Sequence, residues 1–298
     1  MHRYSYYKTA ACTLNVSIGD PQANKEEILK CIQELDSDTQ LVVFPELCIT
    51  GYTCQDLFYE HTLLNKAKQV LFEIVEELPE NLVAVLGLPL EIDNKLYNCA
   101  AICFNHDILG IQVKTYIPSY NEFYETRWFS SASELKENTT FTYKDKKVPV
   151  SNHIVFKDTT TFACLGVEIC EDLWVTIPVS STHALAGANI LCNLSASNEI
   201  ISKANYRRNL VKDQSAKCYA GYVYASAGPT ESSSDLVFSG HNLICENGAI
   251  LSETKTDKII YGQIDLDHLN HDRLHYKTSM QDLFHVNYTT VEFASKPI

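Results

Sequence analysis

A glutamate, a lysine and a cysteine each stand at the end of a short apolar run. The first run is Leu41-Val42-Val43-Phe44, followed by Pro45-Glu46-Leu47. Proline ends a strand ladder, so Glu46 is held beside a buried layer, where desolvation raises a carboxyl pKa and suits it to proton transfer. The second is Ile111-Gln112-Val113-Lys114, followed by a loop dense in aromatic and acidic residues, Tyr116-Ile117-Pro118-Ser119-Tyr120-Asn121-Glu122-Phe123-Tyr124-Glu125. A lysine there supplies a fixed positive charge in a dry site. The third is Gly166-Val167-Glu168-Ile169-Cys170-Glu171-Asp172-Leu173-Trp174. Here a strand ends in a thiol, and Asp172 is placed to cap a following turn whose amides point back toward Cys170. Each feature also has an ordinary reading: a strand-terminal acid or lysine facing water, and a cysteine used as small buried filler. Together they have the parts of covalent acyl transfer, namely nucleophile, base and oxyanion-stabilising cation.

The elements that must position these groups are short strands alternating with amphipathic helices. Residues 7–14 read as a strand. Asp20 and Pro21 read as an N-cap and first helical residue, with Ile28, Leu29, Ile32 and Leu35 on one face. A second helix is expected over 56–78, with Leu64, Ala67, Leu71 and Ile74 on one side. A meander follows over 82–88, 95–104 and 108–114, with turns at Asp93-Asn94 and Asn105-His106. Further strands are expected over 148–156, 160–167, 188–194, 221–227, 240–245, 249–253 and 259–265, with helices over 178–186 and 204–219. This mixture implies α/β layers, sheets covered by helices on their outer faces. Patterning weakens after about residue 284, so residues 1–284 are expected to form the domain and 285–298 a tail or the start of a linker.

The chain has 298 residues, 45% of them hydrophobic, and a formal net charge of -13. That length can bury a sizeable core, and that charge disfavours binding to a nucleic-acid backbone. No apolar run is long enough to cross a bilayer, and residues 1–8 lack a signal-peptide pattern. The 11 cysteines are odd in number, scattered, and contain no C-x-x-C pair. Free thiols in a reducing cytoplasm are therefore expected.

The three segments resemble the Glu–Lys–Cys signatures of the nitrilase-like carbon–nitrogen hydrolases. More narrowly, they resemble the glutaminase half of glutamine-dependent NAD synthetases. That half carries Phe-Pro-Glu-Leu…Gly-Tyr…Asp-Leu-Phe, matched from Phe44 to Phe58. It carries a lysine followed by Pro-x-Tyr-x-Glu-Phe-Tyr-Glu, matched by Lys114 and by Pro118 to Glu125. It carries Ile-Cys-Glu-Asp-x-Trp, matched from Ile169 to Trp174. Asn193-Leu194-Ser195-Ala196-Ser197, Arg207-Arg208, Tyr222-Val223-Tyr224-Ala225 and the turn Glu246-Asn247-Gly248 add to an ordered set spanning about residues 6 to 284.

The resemblance implies a four-layer α-β-β-α sandwich. It assigns Glu46 as general base, Lys114 as oxyanion stabiliser and Cys170 as nucleophile, with Glu122 as the second acid that holds the lysine or assists protonation. It places Tyr52, Tyr120, Phe123, Glu171 and Ser197 around a glutamine pocket, together with Lys203, where relatives often have arginine. The two cations differ in geometry. The implied reaction is hydrolysis of L-glutamine, releasing ammonia for NAD synthesis from deamido-NAD. No cofactor is expected on this chain. ATP and deamido-NAD would bind a synthetase domain, whose Ser-Gly-Gly-x-Asp-Ser loop does not occur here. A synthetase domain or subunit is therefore the expected partner, and a homo-oligomer is expected by analogy. The alternative within the family is a free-standing amidase acting on another small amide or an N-carbamoyl compound.

Rival classes fare less well. Ten histidines form no H-E-x-x-H pattern, and no G-x-S-x-G occurs. A papain-like enzyme would need a histidine partner, for which His153, His183 and His241 are candidates. A non-enzymatic scaffold requires all three signatures to be inert.

Overall fold

The computed structural model describes residues 5–281 and 285–296. The chain begins with β1 (Tyr6–Cys12), α1 (Pro21–Gln33) and β2 (Leu41–Val43). Asp20 caps α1 through its side chain, which accepts from the Ala23 N–H, and Pro21 is the first helical residue. The single helix expected over 56–78 is two elements. A 3-10 stretch, Tyr52–Tyr59, is broken at Gln55, whose φ is 50°, and Glu60 is extended before α2 (His61–Glu77) begins.

The meander follows as β3 (Val83–Ile92), β4 (Lys95–Phe104) and β5 (Asp107–Val113), then a two-residue hairpin, β6 (Ser119–Tyr120) and β7 (Phe123–Tyr124), and β8 (Thr140–Tyr143). The strand expected over 148–156 is also two elements: β9 (Lys146–Ser151) belongs to one sheet and β10 (Ile154–Asp158) to the other. The chain changes layer at Asn152 and His153, and apolar alternation on both sides hid the crossing. The second half runs β11 (Cys164–Ile169), α3 (Val179–Leu185), β12 (Ile190–Ser195), α4 (Lys203–Cys218), β13 (Gly221–Ser226), β14 (Asn242–Glu246), β15 (Ala249–Thr254), β16 (Ile259–Asp265) and α5 (Leu266–His275). The expected tail contains β17 (Thr289–Phe293), which pairs in parallel with β10 at a sheet edge. Position 284, where the domain was expected to end, lies outside the described residues, as do 297 and 298.

Eight strands form the first sheet in the order β16-β1-β2-β3-β4-β5-β9-β8, and seven form the second in the order β15-β14-β13-β12-β11-β10-β17. Successive side chains on a strand point to opposite faces. In β2 and β3, Leu41, Val43, Val83 and Val85 enter the layer between the sheets, where Leu165, Val167 and Ile169 of β11 meet them. Val42, Ala84 and Leu86 instead face α1 and α2, among Ile28, Ile32, Leu71 and Ile74. On the far side, α3 and α4 cover Leu191, Tyr222, Tyr224 and Leu243 with Ala184, Val211 and Cys218. The result is an α-β-β-α stack. Strands buried on both faces read as continuous apolar runs, which is why β2 is wholly apolar before Glu46 and β11 carries a single charged residue, the buried Glu168, before Cys170.

Candidate active site

The site lies where β2, β5 and β11 end. In β4, the even-numbered residues Ala100, Ile102 and Phe104 face the inter-sheet layer. Asn98 shares their parity. In β5, Ile111 and Val113 face the helices, so Gln112 and Lys114 point the other way. Alternation thus turns Asn98 and Lys114 toward the same layer, and both are fully buried. Glu46 reaches it from an elbow after β2, where Leu47 has a φ of 51°. That elbow presses on β3 at Gly87: a Cβ there would lie 2.4 Å from the Leu47 nitrogen and 2.7 Å from the Pro45 oxygen, so a larger residue would displace the segment carrying Glu46.

On the opposite sheet, Cys170 directly follows β11. Strict alternation would send it toward the helices. Its φ of 45° instead leaves it packed with Ile169 in the inter-sheet layer. A left-handed backbone at a non-glycine residue is strained, and such strain collects at functional sites.

Lys114 Nζ donates to Glu46 Oε1 at 2.6 Å and to both oxygens of Glu125 at 2.8 Å. Glu46 also accepts from Asn98 Nδ2 at 2.7 Å and from the Ala196 N–H, just after β12, at 2.9 Å. Glu125 further accepts from the Tyr52 hydroxyl at 2.7 Å. Burial alone would discharge Lys114, but the carboxylates of Glu125 and Glu46 outweigh it and hold the ammonium well above its ordinary range. Burial pushes the Glu125 carboxyl up to about 7. Burial, with the Glu46 carboxylate adding to it, also raises the Cys170 thiol. Cys170 therefore rests as a thiol and needs a base to attack.

The second acid is a correction. Glu122 sits at the tip of the β6–β7 hairpin beside Asn121, whose φ is 49°, and accepts from the Asn198 amide. It does not hold the lysine. Glu125, three residues on, does. Tyr52, expected in the substrate pocket, gives its hydroxyl to Glu125, and its own N–H donates to Glu231 Oε2 at 2.6 Å. The Ser197 hydroxyl accepts from the buried Arg207 guanidinium at 3.1 and 3.3 Å.

The remaining expected residues gather at the mouth. A cavity of about 330 Å³ is lined by Tyr120, Glu122, Phe123, Trp174, Asn198 and Lys203 among others. The Tyr120 hydroxyl donates to Glu171 at 2.9 and 3.0 Å. Lys203 donates to Asn198 and lies 4.9 Å from the Trp174 ring centre and 5.6 Å from that of Phe123. Burial lowers its pKa and raises that of Glu171.

Two of the three histidine candidates have their ring nitrogens engaged elsewhere, and the third, His153, packs its ring 5.4 Å from that of Tyr288. His183 Nε2 bonds the Val167 carbonyl, and burial pushes its pKa down to about 4. His241 lies between Arg207 and Glu253. All 11 cysteines are free. Among the described residues, no group of three or more His, Cys, Asp and Glu side chains could hold a metal, and no helix is long and apolar enough to cross a membrane.

The carbon–nitrogen hydrolase family model matches residues 8–273. The chain belongs to the carbon–nitrogen hydrolase family. Within it, this carbon–nitrogen hydrolase is 38% identical over 258 residues to the glutamine-dependent NAD(+) synthetase of Mycobacterium tuberculosis, covering 85% of this chain and 38% of that protein. It is 30% identical over 255 residues to the human enzyme of the same name, covering 82% of this chain and 35% of that protein. The chain thus spans well under half the length of these curated relatives. Among solved structures, the glutamine-dependent NAD(+) synthetase of Cytophaga hutchinsonii superposes with a TM-score of 0.77 at 29% identity, covering 87% of this chain and 43% of that one. A nitrilase-superfamily member from Saccharomyces cerevisiae, with a TM-score of 0.70 at 20% identity over 91% of this chain and 94% of that one, shares the fold.

Glu231 supports the site from behind and makes its stability sensitive to pH. It is fully buried, its Oε1 has no hydrogen-bond partner among the described residues, and burial pushes its pKa up to about 8. Below about pH 4.5 the carboxyl is neutral in folded and unfolded chains alike. As pH rises toward 8 the unfolded chain loses this proton first, so the folded state loses stability across that window. Glu231→Gln removes the titration. Its Tm should match that of the wild type near pH 5 and exceed it progressively toward pH 8. Parallel melting curves for the two proteins would contradict this.

Proposed function

We propose that this chain is a glutaminase: Glu46, Lys114 and Cys170 hydrolyse the side-chain amide of L-glutamine through a thioester. The observation that carries the reading is the buried Glu46–Lys114–Glu125 group, close enough for its charges to act on the Cys170 thiol. Glu46 takes the thiol proton as Cys170 Sγ bonds to the amide carbon. The carbonyl electrons move onto oxygen, beside the Lys114 ammonium. Collapse breaks the C–N bond, and the leaving nitrogen takes the proton from Glu46 to depart as ammonia. Water then attacks the thioester with Glu46 again accepting a proton, and glutamate leaves as the Cys170 thiol is restored. Glu125, linked to Lys114 and Tyr52, keeps the ammonium in place and neutralises its charge.

The mouth suits a zwitterion. Glu122 and Glu171 offer carboxylates to an α-amino group, Lys203 offers its ammonium to an α-carboxylate, and Tyr120, Phe123 and Trp174 wall the methylenes. The ammonia would pass to a synthetase domain or subunit that binds ATP and deamido-NAD, in keeping with the named relatives. Eleven free thiols suit a reducing cytoplasm.

The test is ammonia release from a panel of L-glutamine, simple amides, an aliphatic nitrile and an N-carbamoyl compound, with and without a synthetase domain. Glutamine is expected to be the best substrate, with turnover raised by the synthetase domain. Faster turnover of a nitrile or N-carbamoyl compound would replace this reading with that of a free-standing amidase.

A further inference from the structure

One buried carboxylate beside the site touches none of the reacting groups. Asp172 lies two residues after Cys170, in the 3-10 turn Cys170–Leu173, and is fully buried. Its Oδ1 accepts from the N–H groups of Thr115 at 3.0 Å and Tyr116 at 2.9 Å, and its Oδ2 from the Ile169 N–H at 3.1 Å. The donors come from the strand end of one sheet and from the loop that leaves the other. Thr115 and Tyr116 directly follow Lys114 at the end of β5, whereas Ile169 is the last residue of β11 and precedes Cys170.

A buried carboxylate costs desolvation, and an apolar side chain could fill the same space. What an apolar side chain could not do is accept three backbone N–H bonds from two segments at once. The reaction needs Cys170 from one sheet and Lys114 from the other in register, and a misplacement of about 1 Å can cost on the order of a hundredfold in rate. Glu46 has its own tie across the gap, to the Ala196 N–H. Lys114 bonds to Glu46 and Glu125, both from its own half of the chain. Asp172 is the tie from its backbone to the nucleophile's strand.

We propose that Asp172 is a positioning residue, a cross-sheet latch that sets Lys114 against Cys170 by joining the two loops that carry them. This rests on the roles given to Lys114 and Cys170 above.

Asp172→Asn keeps the shape but puts an NH2 group against at least one backbone N–H. The expected result is a kcat for glutamine lower by about tenfold to a hundredfold with KM within about twofold. Alkylation of Cys170 by chloroacetamide, followed by mass, should slow by a similar factor. A filler role alone would lower Tm while leaving kcat per folded molecule and alkylation unchanged, and that result would overturn the latch. The wild type gives a test that needs no variant. Tyr116 is 40% exposed, yet its amide and that of Thr115 should exchange with deuterium as slowly as amides of β11. Exchange at the rate of an open loop would overturn the proposal even if Asp172→Asn failed to fold. If the wild type hydrolyses no glutamine, the functional reading falls, while alkylation and exchange still decide the role of Asp172.

Discussion

Cys170→Ala is expected to yield a folded protein that releases no ammonia from glutamine. In the proposed mechanism the thiol forms the acyl intermediate, and Glu46 and Glu125, both bonded to Lys114, are not placed to replace it. The substitution removes one small atom from a buried position, so the fold should survive with a Tm close to that of the wild type. Cys164 is the internal control. It lies at the start of the same strand but packs toward the helices, and its replacement should leave turnover largely intact. Wild-type turnover by folded Cys170→Ala would remove the nucleophile from the account.

Lys114→Met should be nearly as damaging, for a different reason. Its ammonium is already surrounded by carboxylate oxygens at 2.6 to 2.8 Å in the resting site, so it is pre-organised to meet a developing oxyanion. Removal of one such donor costs about 3–4 kcal/mol, hundreds-fold in rate, and the loss should fall on kcat with little change in KM. A change confined to KM would make Lys114 a binding residue. The same substitution leaves two buried carboxyl groups without their cation, which typically costs about 3–5 kcal/mol of stability. Protonation offers partial relief, because the Glu125 carboxyl already has its pKa raised to about 7. The Tm deficit of Lys114→Met should therefore be smallest in mildly acidic buffer.

Glu46, Lys114 and Cys170 were legible because each ends a mostly apolar run, although Gln112 and Glu168, both buried within those runs, show that a polar group need not wait for the strand's end. Asn98 was missed, although it left a signal: it continues the inward parity of Ala100 and Ile102 with a polar side chain. The exchange of Glu122 for Glu125 was not legible. Both acids lie in one short aromatic segment, and only the hairpin turn at Asn121 decides which of them faces Lys114. The layer change at Asn152 and the edge strand Thr289–Phe293 depend on pairing between distant segments, and neither local alternation nor composition reports that. Asp172 was read as a local cap, and its reach to Thr115 and Tyr116 emerged only once the two sheets were stacked.

The central claim is a covalent bond between Cys170 and a glutamine-derived acyl group, and mass spectrometry reads it most directly. The wild-type protein is incubated with an electrophilic glutamine analogue, and its intact mass and peptides are then measured. The account predicts a single adduct on Cys170, slowed by excess L-glutamine and absent from Cys170→Ala. An unmodified Cys170, or labelling of other cysteines that glutamine does not slow, would contradict it.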